Sequence, residues 1–166
     1  MQILPYLFSL LFISFVNISY AQGNNKLQAI SFEIGKAGLI YNLNYDHKFS
    51  DKNFGLRIGV GSNADQYLLL FSFGGGAYYL FGKTHKFFEL GSELNYLSVD
   101  EISDDQKGLG SLALYPNYST KTFYASLNAG YRKYSKKTLF RIGIAPGFTK
   151  DEFIPGGYIS FGIVFN

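Results

Sequence analysis

Charged side chains recur at equivalent points in three similar segments of the sequence. Each segment runs from an aromatic residue through a basic turn to a charged residue, which is followed by an aliphatic residue and Gly. The segments are "FSDKNFGLRIG" (49–59), "FGKTHKFFELG" (81–91) and "YSKKTLFRIG" (134–143). Their charged residues are Arg57, Glu89 and Arg141. Because a charge in an apolar setting is tolerated only when it is paired, the chemistry expected of these residues is ion pairing.

Catalytic chemistry has few candidate residues in this sequence. The chain has no Cys, which excludes a disulfide framework and a thiolate metal site. His47 and His85 adjoin basic turns, and no Ser lies in a "GxSxG" nucleophile motif. The glycine run "GGGAYY" (74–79) precedes no helix of the kind that a phosphate loop requires. The sequence therefore predicts a non-enzymatic protein without cofactor or metal, and a lipid-modifying enzyme is the less favoured alternative.

A further set of charged residues lies in one acidic stretch. The stretch "SVDEISDDQKGLGSLALYPNYST" (98–120) carries Asp100, Glu101, Asp104 and Asp105. The spacing of these carboxylates does not match a calcium-binding loop. We expect a solvated loop here, and the alternative is a site for a cation or a surface partner.

The segments that hold these charged residues alternate with a period of two, which predicts strands. In residues 54–61, for example, Leu56 and Ile58 alternate with Gly55 and Arg57. The face opposite the large apolar residues consists mainly of Gly, Ser, Asn and Ala, which suit the crowded inside of a narrow barrel. The large apolar side chains must then point outward, where only lipid accommodates them. This pattern is typical of an outer-membrane β-barrel.

The strands are predicted to be joined by two kinds of connection. The turns after the second, fourth and sixth strands are tight and mostly basic, whereas the other connections include the long stretch 98–120. Bacterial outer-membrane barrels have short periplasmic turns and longer external loops, which places 98–120 outside the cell. The eight predicted strands are 28–35, 38–48, 54–62, 67–81, 87–97, 121–134, 138–148 and 157–165.

Inside such a barrel the pairing hypothesis becomes specific. Arg57, Glu89 and Arg141 all face the lumen, and Glu93 and Glu33 are the further lumenal carboxylates. We predict a cluster in which the two arginines pair with Glu89 and with Glu93 or Glu33. An eight-stranded barrel is nearly filled by its own side chains, so the cluster is expected to close the lumen and fix the strand register. The alternative is a gate or a path for small solutes.

The N-terminus is predicted to be an export segment. Residues 3–16 form an apolar core shorter than the roughly 20 residues of a spanning helix, and Ala21 offers a cleavage site. We therefore predict a signal peptide over 1–21, a short periplasmic segment over 22–26 and a barrel domain over 27–166. The formal charge of +3 is small and no basic stripe is present, so no nucleic-acid partner is expected.

The C-terminal strand adds a family likeness. In "GGYISFGIVFN" (156–166), large apolar residues occupy alternate positions from Ile159 to the penultimate Phe165. With the alternation and the lumenal charges, this strand resembles the small eight-stranded outer-membrane barrels of Gram-negative bacteria, the OmpA/OmpX-type families, over nearly all of 27–166. The resemblance implies contact with outer-membrane lipid and assembly by the barrel-assembly machinery, which reads this strand. We expect a monomer.

The resemblance indicates architecture rather than one activity, because such barrels are variously adhesins, structural proteins, small pores and lipid enzymes. We expect a structural or surface-interaction role through the external loops, chiefly 98–120. A narrow pore or carrier is the alternative function, and a soluble secreted barrel is the rival architecture. Aromatic residues at strand ends are expected to form interfacial girdles, and turn lysines to meet phospholipid head groups. The aromatic residues are Tyr41, Tyr45, Tyr67, Tyr79, Phe81, Tyr96, Tyr131 and Tyr134, and the lysines are Lys48, Lys52, Lys83, Lys86, Lys133, Lys136 and Lys137.

Overall fold

The structure, a computed structural model, describes residues 27–36, 40–49, 52–64, 68–101, 120–150 and 153–165. The predicted signal peptide and the segment 22–26 lie outside the described residues. Strands are the regular elements of the described part of the chain, which contains no helix long and apolar enough to cross a membrane. The strands are β1 (Leu27–Gly35), β2 (Tyr41–Lys48), β3 (Phe54–Ala64), β4 (Leu68–Lys83), β5 (Lys86–Glu101), β6 (Thr120–Tyr134), β7 (Thr138–Ile144), β8 (Gly147–Phe148), β9 (Phe153–Ile154) and β10 (Gly157–Phe165).

These strands form one closed antiparallel sheet. Strands β1 to β7 pair in chain order, β7 pairs with β10, and β10 returns to pair with β1. Strand β8 continues β7 in the same register against β6, and β9 pairs with β8. The ten segments are thus eight barrel strands, and the predicted closed antiparallel barrel of eight strands is confirmed. Each described barrel strand is thus paired on both sides, so the described wall has no open sheet edge.

Two prolines explain why two of the barrel strands are interrupted. Pro146 separates β7 from β8, and Pro155 separates β9 from β10. Proline has no backbone N–H to donate to the ladder, so pairing lapses at these positions. The neighbouring strands stay in register across these interruptions because two backbone hydrogen bonds remain. The Leu127 N–H donates to the Pro146 carbonyl oxygen at 3.1 Å, and the Ala145 N–H donates to the Gly156 carbonyl oxygen at 2.8 Å.

The outer wall is apolar on every side of the barrel. Ile58, Leu94 and Phe161 are each 60% exposed on three different strands, and neighbouring rings form outward aromatic contacts such as Phe73 with Tyr96 at 5.4 Å. In a barrel that is soluble in water these side chains would form the core. A soluble monomer rarely exposes a continuous apolar surface of this kind.

The two ends of the barrel differ. We call the end with the connections 49–53, 84–85 and 135–137 the turn end, and the opposite end the loop end. At the turn end the lumen is filled by an apolar plug of packed side chains. The plug consists of Ala29, Tyr78, Leu80, Phe87, Tyr134, Leu139 and Val164.

The structure corrects two sequence-based assignments. Tyr134, predicted to lie in an outward girdle, is buried in the apolar plug, because its strand position shares the inward parity of Arg132. Asp100 and Glu101, predicted to lie in a loop, belong to β5, whose ladder with β4 continues to the pairs Leu69–Asp100 and Leu68–Glu101. The connection between β5 and β6 is therefore shorter than 98–120 and begins after Glu101.

Candidate functional site

Among the described residues, eight charged side chains in the middle of the lumen are at most 7% exposed. Four are acidic and four are basic, so their formal charges cancel when all are ionised. We call this group the lumenal ion network. Its members are Glu33, Asp46, Glu89 and Glu93 with Lys36, Arg57, Arg132 and Arg141.

Glu89 is the centre of the network. Its Oε1 accepts hydrogen bonds from Arg57 Nη2 at 2.9 Å and from Arg141 Nη2 at 3.0 Å. Its Oε2 lies 2.9 Å from Arg132 Nε and accepts from Arg141 Nε at 3.3 Å. One carboxylate therefore contacts three guanidinium groups that come from three different strands.

The central position of Glu89 offsets an unfavourable cross-strand pair. Arg132 and Arg141 are direct register partners on β6 and β7, and both point into the lumen. Like charges directly opposite on neighbouring strands are destabilising. Because Glu89 contacts both guanidinium groups, the pair can remain buried.

Asp46 forms a second junction nearer the turn end. Its Oδ1 accepts from Arg57 Nε at 3.0 Å and from Arg132 Nη2 at 2.6 Å. Asp46 and Arg57 are also direct register partners on β2 and β3. The Arg57 guanidinium thus uses its Nε, Nη1 and Nη2 on three different carboxylates, those of Asp46, Glu93 and Glu89.

The loop-end side of the network is formed around Glu93 and Glu33. Glu93 Oε1 accepts from Arg57 Nη1 at 3.0 Å and from Asn128 Nδ2 at 2.9 Å, and its Oε2 accepts from the Lys36 ammonium. Glu33 Oε2 accepts from Arg141 Nη1 at 3.0 Å, and Lys36 Nζ lies 3.9 Å from Glu33 Oε1. Lys36 therefore closes the network from the connection that follows β1.

Three tyrosine rings support the guanidinium groups, and one of them, Tyr134 of the apolar plug, has its centroid 5.3 Å from Arg132 Cζ. The Tyr78 ring centroid lies 4.3 Å from Arg132 Cζ and 5.1 Å from Arg57 Cζ, and the Tyr158 centroid lies 4.7 Å from Arg141 Cζ. Cation–π contacts of this kind stabilise a desolvated guanidinium. Tyr78 belongs to β4 and Tyr158 to β10, the two barrel strands that supply no charge to the network. Every barrel strand thus contributes a side chain to this layer.

Glycines make room for the large side chains of the network. A Cβ at Gly130 would lie 2.7 Å from Tyr158 Oη, and a Cβ at Gly143 would lie 2.9 Å from the same atom. A Cβ at Gly76 would lie 2.6 Å from Glu93 Cγ. The small residues that the sequence places in the lumen therefore leave the space that the arginine, glutamate and tyrosine side chains fill.

A polar layer continues from the network toward the loop end. Asn42, Asn44, Asn95 and Tyr124 are buried around a cavity of about 10 Å³, which is roughly the room that one water needs. The apolar plug, the ion network and this polar layer follow one another along the axis. Buried side chains therefore fill each of these three layers of the described interior.

All five charged residues predicted for the lumen lie in the network. Arg57 and Arg141 contact Glu89, Arg57 also contacts Glu93, and Arg141 also contacts Glu33. Sequence reasoning missed three members of the cluster. Asp46 and Arg132 lie at inward-facing alternate positions of their strands, so the period-two pattern of the sequence is enough to place them on the lumenal face. Lys36 lies beyond the end of β1 with a φ of 81°, and alternation does not extend to such a position.

The other predicted residues do not form a site in the described part of the chain. Asp104 and Asp105 lie outside the described residues, and the side chains of Asp100 and Glu101 are not described. His47 and His85 are both at the turn end, where His47 contacts Phe49 with ring centroids 5.1 Å apart. Among the described residues no group of three or more His, Cys, Asp or Glu is arranged to hold a metal ion.

Comparison with known proteins places the fold among outer-membrane barrels. No family model and no curated protein matches the sequence. The N-terminal β-barrel domain of Pseudomonas aeruginosa OprF matches the structure with a TM-score of 0.62 and 15% identity, over 87% of this chain and 100% of that domain. Neisserial surface protein A (TM-score 0.46, 16% identity, 84% and 94% covered) and Yersinia pestis Ail (TM-score 0.46, 10% identity, 87% and 100% covered) also match. The likeness to the OprF domain establishes a shared fold.

Proposed function

We propose that this protein is a monomeric, non-enzymatic barrel of the Gram-negative outer membrane that works through its external loops. The observation that carries the proposal is the apolar outer wall around a lumen closed by buried ion pairs. In a bilayer each exposed Ile, Leu and Phe side chain replaces a contact with water by a contact with hydrocarbon. A closed barrel also satisfies its backbone hydrogen bonds internally, which the hydrocarbon region requires.

The strand lengths support an external role. A membrane-spanning strand needs about 9–11 residues, and β1 and β2 have 9 and 8. In contrast β4 and β5 have 16 residues each and β6 has 15. If the turn ends of all strands lie at the same interface, the three long strands extend beyond the membrane on the loop end. They would hold the connection between Glu101 and Thr120 away from the lipid, where it is available to a surface partner.

The filled lumen argues against the pore or carrier alternative. A conducting path would have to cross the apolar plug, the ion network and the polar layer in turn. Opening the network would separate buried charges, and breaking one buried pair typically costs about 3–5 kcal/mol. The structural role of the network, which is to hold the barrel strands in register, is the favoured one.

The proposal includes export and assembly. The predicted signal peptide over 1–21 would carry the chain across the inner membrane. Strand β10 presents Phe161, Ile163 and Phe165 on the outer wall, which is the pattern that the resemblance associates with the barrel-assembly machinery. The histidines at the turn end would face the periplasm, away from outer-leaflet lipid, so a lipid-modifying activity at that leaflet is not proposed.

Protease treatment of intact cells tests the proposed topology. Trypsin added outside should cut at Lys107, in the connection between β5 and β6, and should spare Lys136 and Lys137 in the turn between β6 and β7. Permeabilising the outer membrane should then expose that turn. Cleavage of 135–137 in intact cells with protection of Lys107 would invert the topology, and recovery of the protein in the soluble periplasmic fraction would refute the membrane proposal.

A further inference from the structure

A groove of about 380 Å³ lies on the outer wall at the turn end. It is centred on Phe140 of β7, which is half-buried between its register partners Lys133 on β6 and Phe161 on β10. The Phe140 and Phe161 ring centroids are 5.1 Å apart. Two aromatic rings and the Lys133 side chain thus border a concavity on the outer wall.

The groove has a polar end and an apolar end. Ser135 and Thr138, both exposed, line it beside the turn, and the Ser135 backbone N–H donates to the Thr138 carbonyl at 2.7 Å. Phe140 and Phe161 line it toward the middle of the barrel. Hydroxyl and ammonium donors therefore lie at the height of the membrane boundary, and rings lie at the height of the acyl chains. An amphiphile with one polar head group matches this order.

The charges around the polar end are positive. Lys133 is the register partner of Lys86 on β5, and Lys86 in turn is the partner of Lys83 on β4. All three are exposed, as are Lys136 and Lys137 in the turn between β6 and β7. Lys133 forms no ion pair with a carboxylate of the described residues. Cations on neighbouring strands repel each other, so an anionic group among them is favoured.

The geometry points to a binding site for an anionic glycerophospholipid of the periplasmic leaflet. The inference rests on the proposed membrane location and goes beyond it, because it names one lipid class and one place on the wall. The lipid phosphate would accept from the Lys133 ammonium and from the hydroxyl groups of Ser135 and Thr138. One acyl chain would run along Phe140 and Phe161 toward the bilayer centre.

Lipid titration of the purified barrel, followed by native mass spectrometry, tests the site. Phosphatidylglycerol should bind the native chain more tightly than zwitterionic phosphatidylethanolamine. Lys133→Gln should weaken phosphatidylglycerol binding about five-fold, the expected effect of one cation near an anionic head group. Lys133→Arg, which keeps the charge, should retain the preference. Lys121→Gln, the matched loss of an exposed lysine at the loop end, should leave binding unchanged.

The outcomes separate this inference from the proposed function. Equal affinity for the two lipids, or equal loss in Lys133→Gln and Lys121→Gln, would overturn the lipid site. A shift in gel mobility between unheated and boiled samples reports the folded barrel and is measured on each variant. A native chain that does not insert into vesicles would refute both proposals, whereas an inserted chain without lipid preference would refute only the site. Phe161→Ala provides a second probe and should weaken binding of both lipids.

Discussion

The inner and outer faces of strand β3 place opposite chemistry one residue apart. Arg57 is buried in the lumen, where it contacts three carboxylates, and Ile58 is 60% exposed on the outer wall. A soluble barrel has the reverse arrangement, with its apolar side chains inside. The comparison shows that the type of side chain on a face follows the surroundings of that face, and that an inward position in a barrel does not by itself require an apolar residue.

Removing the central acid of the inner face should have the largest effect. Glu89→Gln leaves Arg57, Arg132 and Arg141 without their shared carboxylate, and loss of one partner of a buried ion pair costs about 3–5 kcal/mol. The free energy of unfolding in lipid vesicles, measured by urea titration, checks this. Lys52→Gln removes one exposed charge at the turn end and should change stability by less than about 0.5 kcal/mol. Equal effects of the two substitutions would show that the network contributes nothing.

Placing a charge on the outer face should have the next largest effect. Ile58→Arg sets a guanidinium beside the native Arg57 but on the lipid side, where it is expected to cost about 2–4 kcal/mol near the bilayer midplane. Ile58→Val is the control for loss of side-chain volume. The same urea titration measures both variants. Unchanged stability in Ile58→Arg would mean that this face lies in water.

Crowding the inner face should have a smaller but measurable effect. A Cβ at Gly76 would lie 2.6 Å from Glu93 Cγ, and overpacking of a filled interior typically costs about 1–3 kcal/mol. Gly76→Ala should therefore lower the urea midpoint. Ala77→Gly, at the neighbouring position on β4, does not add an atom and serves as the comparison. A midpoint that is higher in Gly76→Ala than in the native protein would contradict a tightly filled lumen.

The connection between β5 and β6 should matter least to the stability of the barrel. Replacing residues 102–119 with a Gly-Ser loop of half that length should change barrel stability by about 0.6 kcal/mol or less, since each halving of loop length changes the closure entropy by about that amount. The replacement removes Lys107 and should abolish the trypsin fragments produced by cleavage there on intact cells, while the unheated barrel keeps its faster gel mobility. Loss of the folded barrel would show that the connection is part of the structure rather than an external attachment.

The fold could be predicted from the sequence because the two faces differ in residue type at every second position. Leu56 and Ile58 against Gly55 and Arg57 identify both the strand and its inverted orientation. The extent of β5 was less predictable, because the acidic run at Asp100 looks like a solvated loop while its backbone still pairs with β4. The interruption at Pro146 follows from the missing N–H and depends on strand register, which sequence alone does not provide.

The ion network was predictable in part for the same reason. The repeated segments placed Arg57, Glu89 and Arg141 on one face, and the structure places them in contact. The Arg132–Arg141 register pair required knowledge of how β6 and β7 align. Lys36 joins through the geometry of the connection after β1, where its backbone has left the strand. Local alternation thus identifies the face of a residue, while pairing across strands identifies its partners.

The central claim is that the apolar face meets lipid and the polar face meets the lumen, and two tryptophan variants test it directly. The chain has no Trp, so each introduced indole is the sole such fluorophore. Leu94 and Asn95 are neighbours on β5, and Asn95 is the register partner of the buried Tyr124 on β6. In bilayers of brominated phospholipid, Leu94→Trp should be strongly quenched and Tyr124→Trp, at nearly the same height inside the lumen, should keep most of its emission. Quenching of the Tyr124→Trp indole equal to or greater than that of Leu94→Trp would contradict the account.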